Sequence, residues 1–405
     1  MVSFCTSSRL QRLSGKKMIE SHIPGGHSAR RIAFATIGDA SEVKFWSGTP
    51  FYMSKSLANQ GHEVVNIGPL SAPSLPLYKA YSRLRRTFRS RGLSPFQAGP
   101  VVAQYAADAV RKIRAVSADI VFAPAGSTFA WSVPDGVPLV YASDATFRLI
   151  EDYHPNYRNL SRSARETSER LERDTIARAD LILYPSQWAA ESAVRDYGAD
   201  PARVHVVPWG ANLKAAPGRD SVLGCRKPGP CRMLLIGVNW KEKGADTAIE
   251  ILAELNNRGV KTELVICGCT PPEPVTQDGL TIIPYLDKND PAQRNRLEQL
   301  YRDADFFLLP TRADCFPIVL CEAAAHGVPS IARATGGVPY AVREGKTGVL
   351  VPPNATKADY AGIIAEIFAN PNRLASLRQS SREAYETQLN WQAWARRVSD
   401  LMQAL

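Results

Sequence analysis

The sequence contains no run of 18 or more apolar residues, the approximate length needed for a helix to span a bilayer, so nothing in it predicts a membrane crossing. Its opening stretch, Met1 to Arg31, is polar and basic. It lacks the apolar segment and small-residue cleavage site of a secretory signal. Residues 1–29 therefore read as a disordered basic tail, with Met18 as an alternative start. No disulfide framework is evident. The seven cysteines (Cys5, Cys225, Cys231, Cys267, Cys269, Cys315 and Cys321) are odd in number and scattered. That pattern predicts reduced, buried thiols and a cytoplasmic protein. Metal-ligand patterns are missing too: no Asp-x-Asp follows a strand and no His/Cys cluster occurs, so no metal ion is expected. None of the six histidines reads as catalytic; His326 reads as a helix end and His62 as a turn. Low-complexity segments and short-period repeats are absent.

What is present is an ordinary globular composition, 45% hydrophobic and 22% charged. At 405 residues the chain exceeds the usual size of a single core, so two domains are expected. The net charge of +10 points to anionic partners: nucleic acid, an acidic membrane face or phosphorylated substrates. Basic residues do not interleave with aromatics along one face, which argues against nucleic acid.

From Arg31 onward, short Val/Ile/Leu-rich runs alternate with stretches of helical spacing. The strand candidates are 31–36, 63–67, 119–122, 138–141, 180–184 and 204–207. After a Gly/Pro-rich break at 215–230, the pattern resumes at 233–237, 263–267, 280–284, 305–309 and 328–332. Continuous rather than alternating apolar runs fit parallel strands buried on both faces. Strand–helix–strand repetition implies right-handed crossovers and doubly wound sheets. The expected organisation is a Rossmann-like domain over 30–208, a second Rossmann-like domain over 209–389, and a terminal helix over 390–405. The apolar stripe of that helix (Trp391, Trp394, Ala395, Val398, Leu401, Met402) needs a surface to cover, expected on the first domain.

The most informative stretch runs from Phe306 to Ile331. It reads as a buried strand, a polar loop, a helix opening near Pro317, a stop at Gly327 and another strand. A helix start offers free backbone N–H groups suited to a diphosphate. Asp314 and Glu322, eight residues apart, border one pocket in this reading, where carboxylates accept hydrogen bonds from sugar hydroxyls.

The block 306–347 resembles the signature of retaining, GT-B-fold family 4 glycosyltransferases, in which an acidic pair at this spacing brackets the donor sugar. The resemblance takes in Thr335-Gly-Gly-Val-Pro, Arg343-Glu-Gly-Lys-Thr-Gly-Val-Leu-Val, Arg178-Ala-Asp-Leu-Ile-Leu-Tyr-Pro-Ser and Val206-Val-Pro-Trp-Gly-Ala-Asn, and spans roughly 31–405. It implies an α/β GT-B fold, with two doubly wound domains facing a cleft. The implied activity is transfer of a hexose from a nucleotide-diphosphate sugar to a hydroxyl, in polysaccharide or glycolipid synthesis. The nucleotide sugar is a co-substrate, and neither cofactor nor metal is expected. Glu322 would hold the donor ribose, and Asp314 would stand near the sugar hydroxyls. Backbone groups of Cys315, Phe316, Pro317, Ile318 and Val319 would contact sugar and diphosphate, as would the loop of Gly336 and Gly337. Tyr285 and Leu286 fall where the family seats the nucleobase.

In the second block, Leu235-Ile-Gly-Val-Asn-Trp-Lys-Glu-Lys-Gly, Lys243 matches a cation that neutralises the leaving diphosphate. Val238 stands where the family has Arg, and Lys241 is a candidate replacement. Gly48, in Phe45-Trp-Ser-Gly-Thr-Pro, is what remains of the family's glycine loop. Asp144 lies near the family's usual His, either to bond a hydroxyl or polarise the acceptor, or to act as an N-cap for the segment after it. Tyr340 stands where the glycine-rich loop usually ends in Glu. Leaving-group assistance to the acceptor proton, on the same face of the sugar, is the mechanism the resemblance implies.

Segment 77–91 places apolar residues at 77, 81, 84 and 88 among Arg83, Arg85, Arg86, Arg89 and Arg91. Such a helix (with the basic stripe over 79–91) suits an anionic membrane surface carrying lipid-linked acceptors, at the inner membrane face; it equally suits a solvated basic helix. Three other functions compete: a non-catalytic protein that binds nucleotide sugars, a nucleotide-sugar epimerase, and a phosphorylase of the same fold.

Overall fold

The computed structural model describes residues 28–88, 95–154, 157–224 and 229–405. Cys5 and Cys225, the first 27 residues, and Arg89 and Arg91 of the basic segment lie outside them. The described chain forms two six-stranded sheets in which every neighbouring strand pair is parallel. The first comprises β1 (Arg31–Phe34), β2 (Glu63–Asn66), β3 (Ile120–Pro124), β4 (Leu139–Ala142), β5 (Leu181–Tyr184) and β6 (Val204–Val206), in the order β2-β1-β3-β4-β5-β6. The second comprises β7 (Cys231–Ile236), β8 (Thr262–Cys267), β9 (Leu280–Ile283), β10 (Phe306–Leu309), β11 (Ser330–Arg333) and β12 (Gly348–Val351), in the order β12-β11-β10-β7-β8-β9.

The central strands β3, β4, β5 and β10 are buried along their whole length, as continuous apolar runs require. Strand β12 was not among the expected strands. It is a four-residue run entered through the tight Arg343–Thr347 turn, too short to stand out by periodicity. The stretch read as a break holds a one-turn helix, Arg219–Leu223.

Chain order reverses between β1 and β3 in the first sheet and between β7 and β10 in the second. At such switch points the loops leaving adjacent strands diverge and open a crevice at the strands' carboxyl ends. The fold thereby sets the loops after β7 and β10 side by side.

The last helix, Trp391–Met402, is capped by the Asn390 side chain, which accepts from the Ala393 N–H. Its stripe packs on the first domain. Trp391 stacks on Tyr52 at 6.5 Å, Trp394 meets Phe122 edge-on at 6.0 Å, and His62 Nε2 lies 2.8 Å from Ser399 Oγ. Gly210 makes this crossing possible: a Cβ there would lie 2.2 Å from the Trp391 nitrogen. All five described cysteines are free and buried. No helix among the described residues is long and apolar enough to cross a membrane.

Candidate active site

The loops after β7 and β10 are stapled together before any ligand arrives. Arg312 forms a two-pronged ion pair with Asp246 at 2.9 and 2.8 Å. The Arg312 N–H and the Thr311 hydroxyl both donate to the Glu242 carbonyl, at 2.7 and 2.9 Å. This brings Lys243 Nζ to 2.5 Å from Asp314 Oδ2. The Asp314–Phe316 turn is braced from behind: Gly337 N–H donates to the Asp314 carbonyl at 3.1 Å. A Cβ on Gly337 would lie 1.7 Å from the Cys315 oxygen, and one on Gly336 2.3 Å from the Asp314 oxygen. Tyr153, from the first domain, accepts from the Asp314 N–H at 2.9 Å.

The helix Ile318–Ala325 starts beside this turn with no side-chain cap, so its first N–H groups are free for an anion. Glu322, one turn along, is 1% exposed. One of its carboxylate oxygens takes the Lys288 ammonium and the other accepts from the Tyr301 hydroxyl at 3.0 Å. Lys288 also reaches the Asn212 carbonyl at 3.5 Å. His326 ends the helix, stacks on Tyr301 at 4.8 Å and is pushed down to about 4 by burial, so it remains a neutral part of the core.

These groups border a cavity of about 970 Å³ between the two sheets. It brings together Lys243, Asp314, Glu322, Asp144, Tyr285, Leu286 and all of Cys315 to Val319. Of those five, Pro317 has no N–H and contributes shape rather than a donor. Lys241 is exposed and does not line the cavity. Gly48, Gly336 and Gly337 do not line it either; the last two act behind the Asp314 turn, where only glycine fits. Val238 does line it and is 73% exposed. No group of three or more His, Cys, Asp or Glu able to hold a metal occurs among the described residues.

The cavity wall supplied by the first domain differs from expectation in two respects. Where a glycine pair belongs, Trp46 and Ser47 take left-handed backbone at φ 43° and 57°, a conformation that costs such residues of order 1–3 kcal/mol. The surroundings enforce it. Asn212 Nδ2 donates to the Ser47 carbonyl at 2.7 Å while its Oδ1 accepts from Trp391 Nε1 at 2.8 Å, and Trp46 packs edge-on against Trp209 at 5.4 Å. Secondly, a histidine is present. His154 lines the cavity and is held below its usual value, mainly by burial and next by the Lys243 charge. It follows the short helix Phe147–Ile150 rather than the end of a strand, so strand-end reasoning passed over it. Lys288 was missed for a different reason: it sits beyond the carboxyl end of β9, two residues after Leu286, in a loop with no motif of its own.

Asp144, partly covered beyond β4, is pushed up to about 6 by loss of solvent, with the charge of Asp314 acting in the same direction. Deeper still, Glu172 is 3% exposed and pushed up to about 8 by burial. The Tyr141 hydroxyl donates to it, 3.1 and 3.2 Å from its two oxygens.

Two doubly wound parallel-sheet domains facing a cleft are the architecture of the GT-B class of α/β proteins. Comparison with known proteins agrees. Residues 51–215 match the family described as Glycosyltransferase Family 4, and residues 230–370 that described as Glycosyl transferases group 1. Both halves of the chain are thus similar to glycosyltransferase domains. A curated relative from Rhodococcus erythropolis, named D-inositol 3-phosphate glycosyltransferase, is 31% identical over 270 residues, which is 62% of this chain and 59% of that protein. The chain spans less than two thirds of the length of such relatives. In fold it is similar to sucrose-phosphate synthase from Thermosynechococcus elongatus, with a TM-score of 0.66 and 18% identity over 93% of this chain and 99% of that one. It is also similar to Anabaena HepE solved with UDP and glucose, with a TM-score of 0.57 and 14% identity over 93% and 100%.

Proposed function

We propose that the chain is a retaining glycosyltransferase that moves a sugar from a nucleotide-diphosphate sugar to an acceptor hydroxyl. The observation that carries this is the Lys243–Asp314 pair at 2.5 Å beside an uncapped helix start, with Glu322 one turn on. The diphosphate takes the place of Asp314 as partner of Lys243 and receives the free N–H groups of Ile318 and Val319. Asp314, released, accepts from sugar hydroxyls. Glu322 and Lys288 together meet the ribose, with Tyr285 and Leu286 against the base. As the anomeric carbon–oxygen bond breaks, charge builds on the diphosphate, where Lys243 stabilises it. The acceptor oxygen bonds the same face of the anomeric carbon, and its proton passes to the departing phosphate oxygen. This scheme assigns the diphosphate charge to Lys243 and the helix start, so turnover is expected to survive EDTA; strict dependence on added magnesium or manganese would contradict it.

A panel of nucleotide sugars, screened by thermal shift and then by product analysis, tests the proposal. A donor present at 100 times its dissociation constant should add about 2.7 kcal/mol of stability, and NMR of the product should show a retained anomeric configuration. An inverted product would overturn retention. Stabilisation without any transfer or hydrolysis would favour a binding protein instead, a reading for which Val238 in place of the family's Arg is the specific observation.

The same reading takes the acceptor to be lipid-linked, at an anionic membrane surface on its cytoplasmic face. In the helix Leu75–Phe88 the side chains of Leu77 and Leu84 are 72% and 62% exposed, and a single helix face of that kind among arginines suits a lipid surface. The relatives' name carries D-inositol 3-phosphate; a phosphate seated beside Asp144 and Glu172 would meet acidic groups, which speaks against that substrate here.

A further inference from the structure

The cavity continues past the donor half into a pocket under the carboxyl ends of β3 and β4, bordered by Thr128, Tyr141, Ser143, Asp144 and Glu172. Its charge is unlike that of the rest of the cavity. Asp314 and Glu322 each have a lysine of their own. Among the described residues no Lys, Arg or His forms a salt bridge with Asp144 or Glu172. The neighbouring Glu169 adds a further negative charge and is itself paired with Arg148 at 2.5 Å. Yet the chain carries a net charge of +10, so cations are not scarce; they are kept out of this pocket.

Hydrogen-bonding capacity is left over as well. The Thr128 hydroxyl lines the pocket, its residue 8% exposed, and has no partner among the described residues. The fully buried Tyr184 hydroxyl is likewise unpartnered among them. Glu172 accepts from the Tyr141 phenol and from the Ser127 side chain, which still leaves acceptor sites on its two oxygens unused. Burying a carboxylate without a cation is costly; Glu172 avoids that cost by keeping its proton up to about 8, and only a cationic ligand would let that proton leave. An ammonium offers three donors and the missing charge.

From this we propose that the acceptor carries a protonated amine, as an amino sugar or amino cyclitol does, seated between Asp144 and Glu172 with Thr128 as a third partner. Burial first, and neighbouring negative charge after it, raise both carboxyls, and a cation seated between them would offset both effects. The proposal deepens the transferase reading and rests on it for the word acceptor, but the subsite can be tested by binding alone.

Methyl glycosides that differ at one position as amine, N-acetyl or hydroxyl are titrated calorimetrically against the full chain at pH 7. The amine should bind at least tenfold more tightly than its N-acetyl and hydroxyl counterparts. That preference should fall below twofold in Glu172→Gln and in Asp144→Asn, each confirmed folded by circular dichroism; the second variant serves if the first does not fold. Equal affinity for the three, no binding by any, or a preference unchanged in both variants overturns the subsite. Release of nucleoside diphosphate from a donor is measured separately. Amine selectivity without turnover strikes the transferase reading alone, and turnover without amine selectivity strikes the amine subsite alone.

Discussion

The two halves of one cavity handle negative charge in opposite ways. On the donor side each carboxylate is matched: Asp314 with Lys243, Glu322 with Lys288 and Tyr301. On the acceptor side Asp144 and Glu172 have no cation among the described residues and are pushed up to about 6 and about 8. Matched pairs suit a polyanionic ligand that exchanges one counter-charge for another. Unmatched carboxyls suit a ligand that is neutral or cationic. The contrast stems from topology. The donor lysines leave β7 and β9 at the end where β10 delivers the acidic loop, whereas the acceptor carboxyls come from β4 and the helix Arg162–Arg178, whose Arg162 and Arg170 face outward to Glu166 and Asp174.

Removing the donor-side cations should have the largest effect. Lys243→Ala is expected to lower turnover by roughly 100-fold or more, a typical cost of losing one group that stabilises developing charge. Steady-state kinetics showing less than a tenfold change would mean that the Lys243–Asp314 pair is structural. Lys288→Ala is next. It leaves Glu322 buried and unpaired, and because the lysine is a third exposed the cost should fall near the lower end for such pairs, about 3 kcal/mol. Denaturant unfolding would read that loss, and an unchanged midpoint would show that Tyr301 alone satisfies Glu322.

On the acceptor side the expected signature is pH dependence. Glu172 holds its proton in the folded chain up to about 8, against 4.5 for the ordinary carboxyl. The folded state therefore binds more protons between those values, and stability falls as pH rises through that window. Glu172→Gln should flatten this slope in melting curves taken from pH 4.5 to 8; a slope identical to wild type would place the titration elsewhere. The smallest effect belongs to the basic helix. Replacing Arg83, Arg85, Arg86 and Arg89 with Ser should weaken co-sedimentation with anionic vesicles by about 1 kcal/mol for each residue that touches lipid. Binding should also weaken with salt, since exposed charges are screened over about 8 Å near physiological ionic strength. Equal sedimentation of both proteins would reduce this segment to a solvated helix.

Much of the fold was readable because buried parallel strands are written as continuous apolar runs: 306–309 and 181–184 carry Phe-Phe-Leu-Leu and Leu-Ile-Leu-Tyr. β12 escaped because four residues after a turn carry no period. In the site, Asp314 and Glu322 could be found because their spacing is set by one loop and one helix, and Lys243 because it stands in a separate recognisable block after β7. Lys288, His154 and Glu172 could not. They reach the cavity from separate elements, and only the pairing of distant strands brings them together. Trp46 and Ser47 defeat residue preference outright: a left-handed turn read from sequence demands glycine, whereas here Asn212 and Trp209 hold it from outside.

The most direct measurement is release of nucleoside diphosphate from a donor sugar by the wild-type chain and by Glu322→Ala, each with its melting curve. The expected result is turnover by the wild type and none detectable by a Glu322→Ala protein that still folds. Release by that folded variant at the wild-type rate would contradict the assignment of the donor site to the paired half of the cavity.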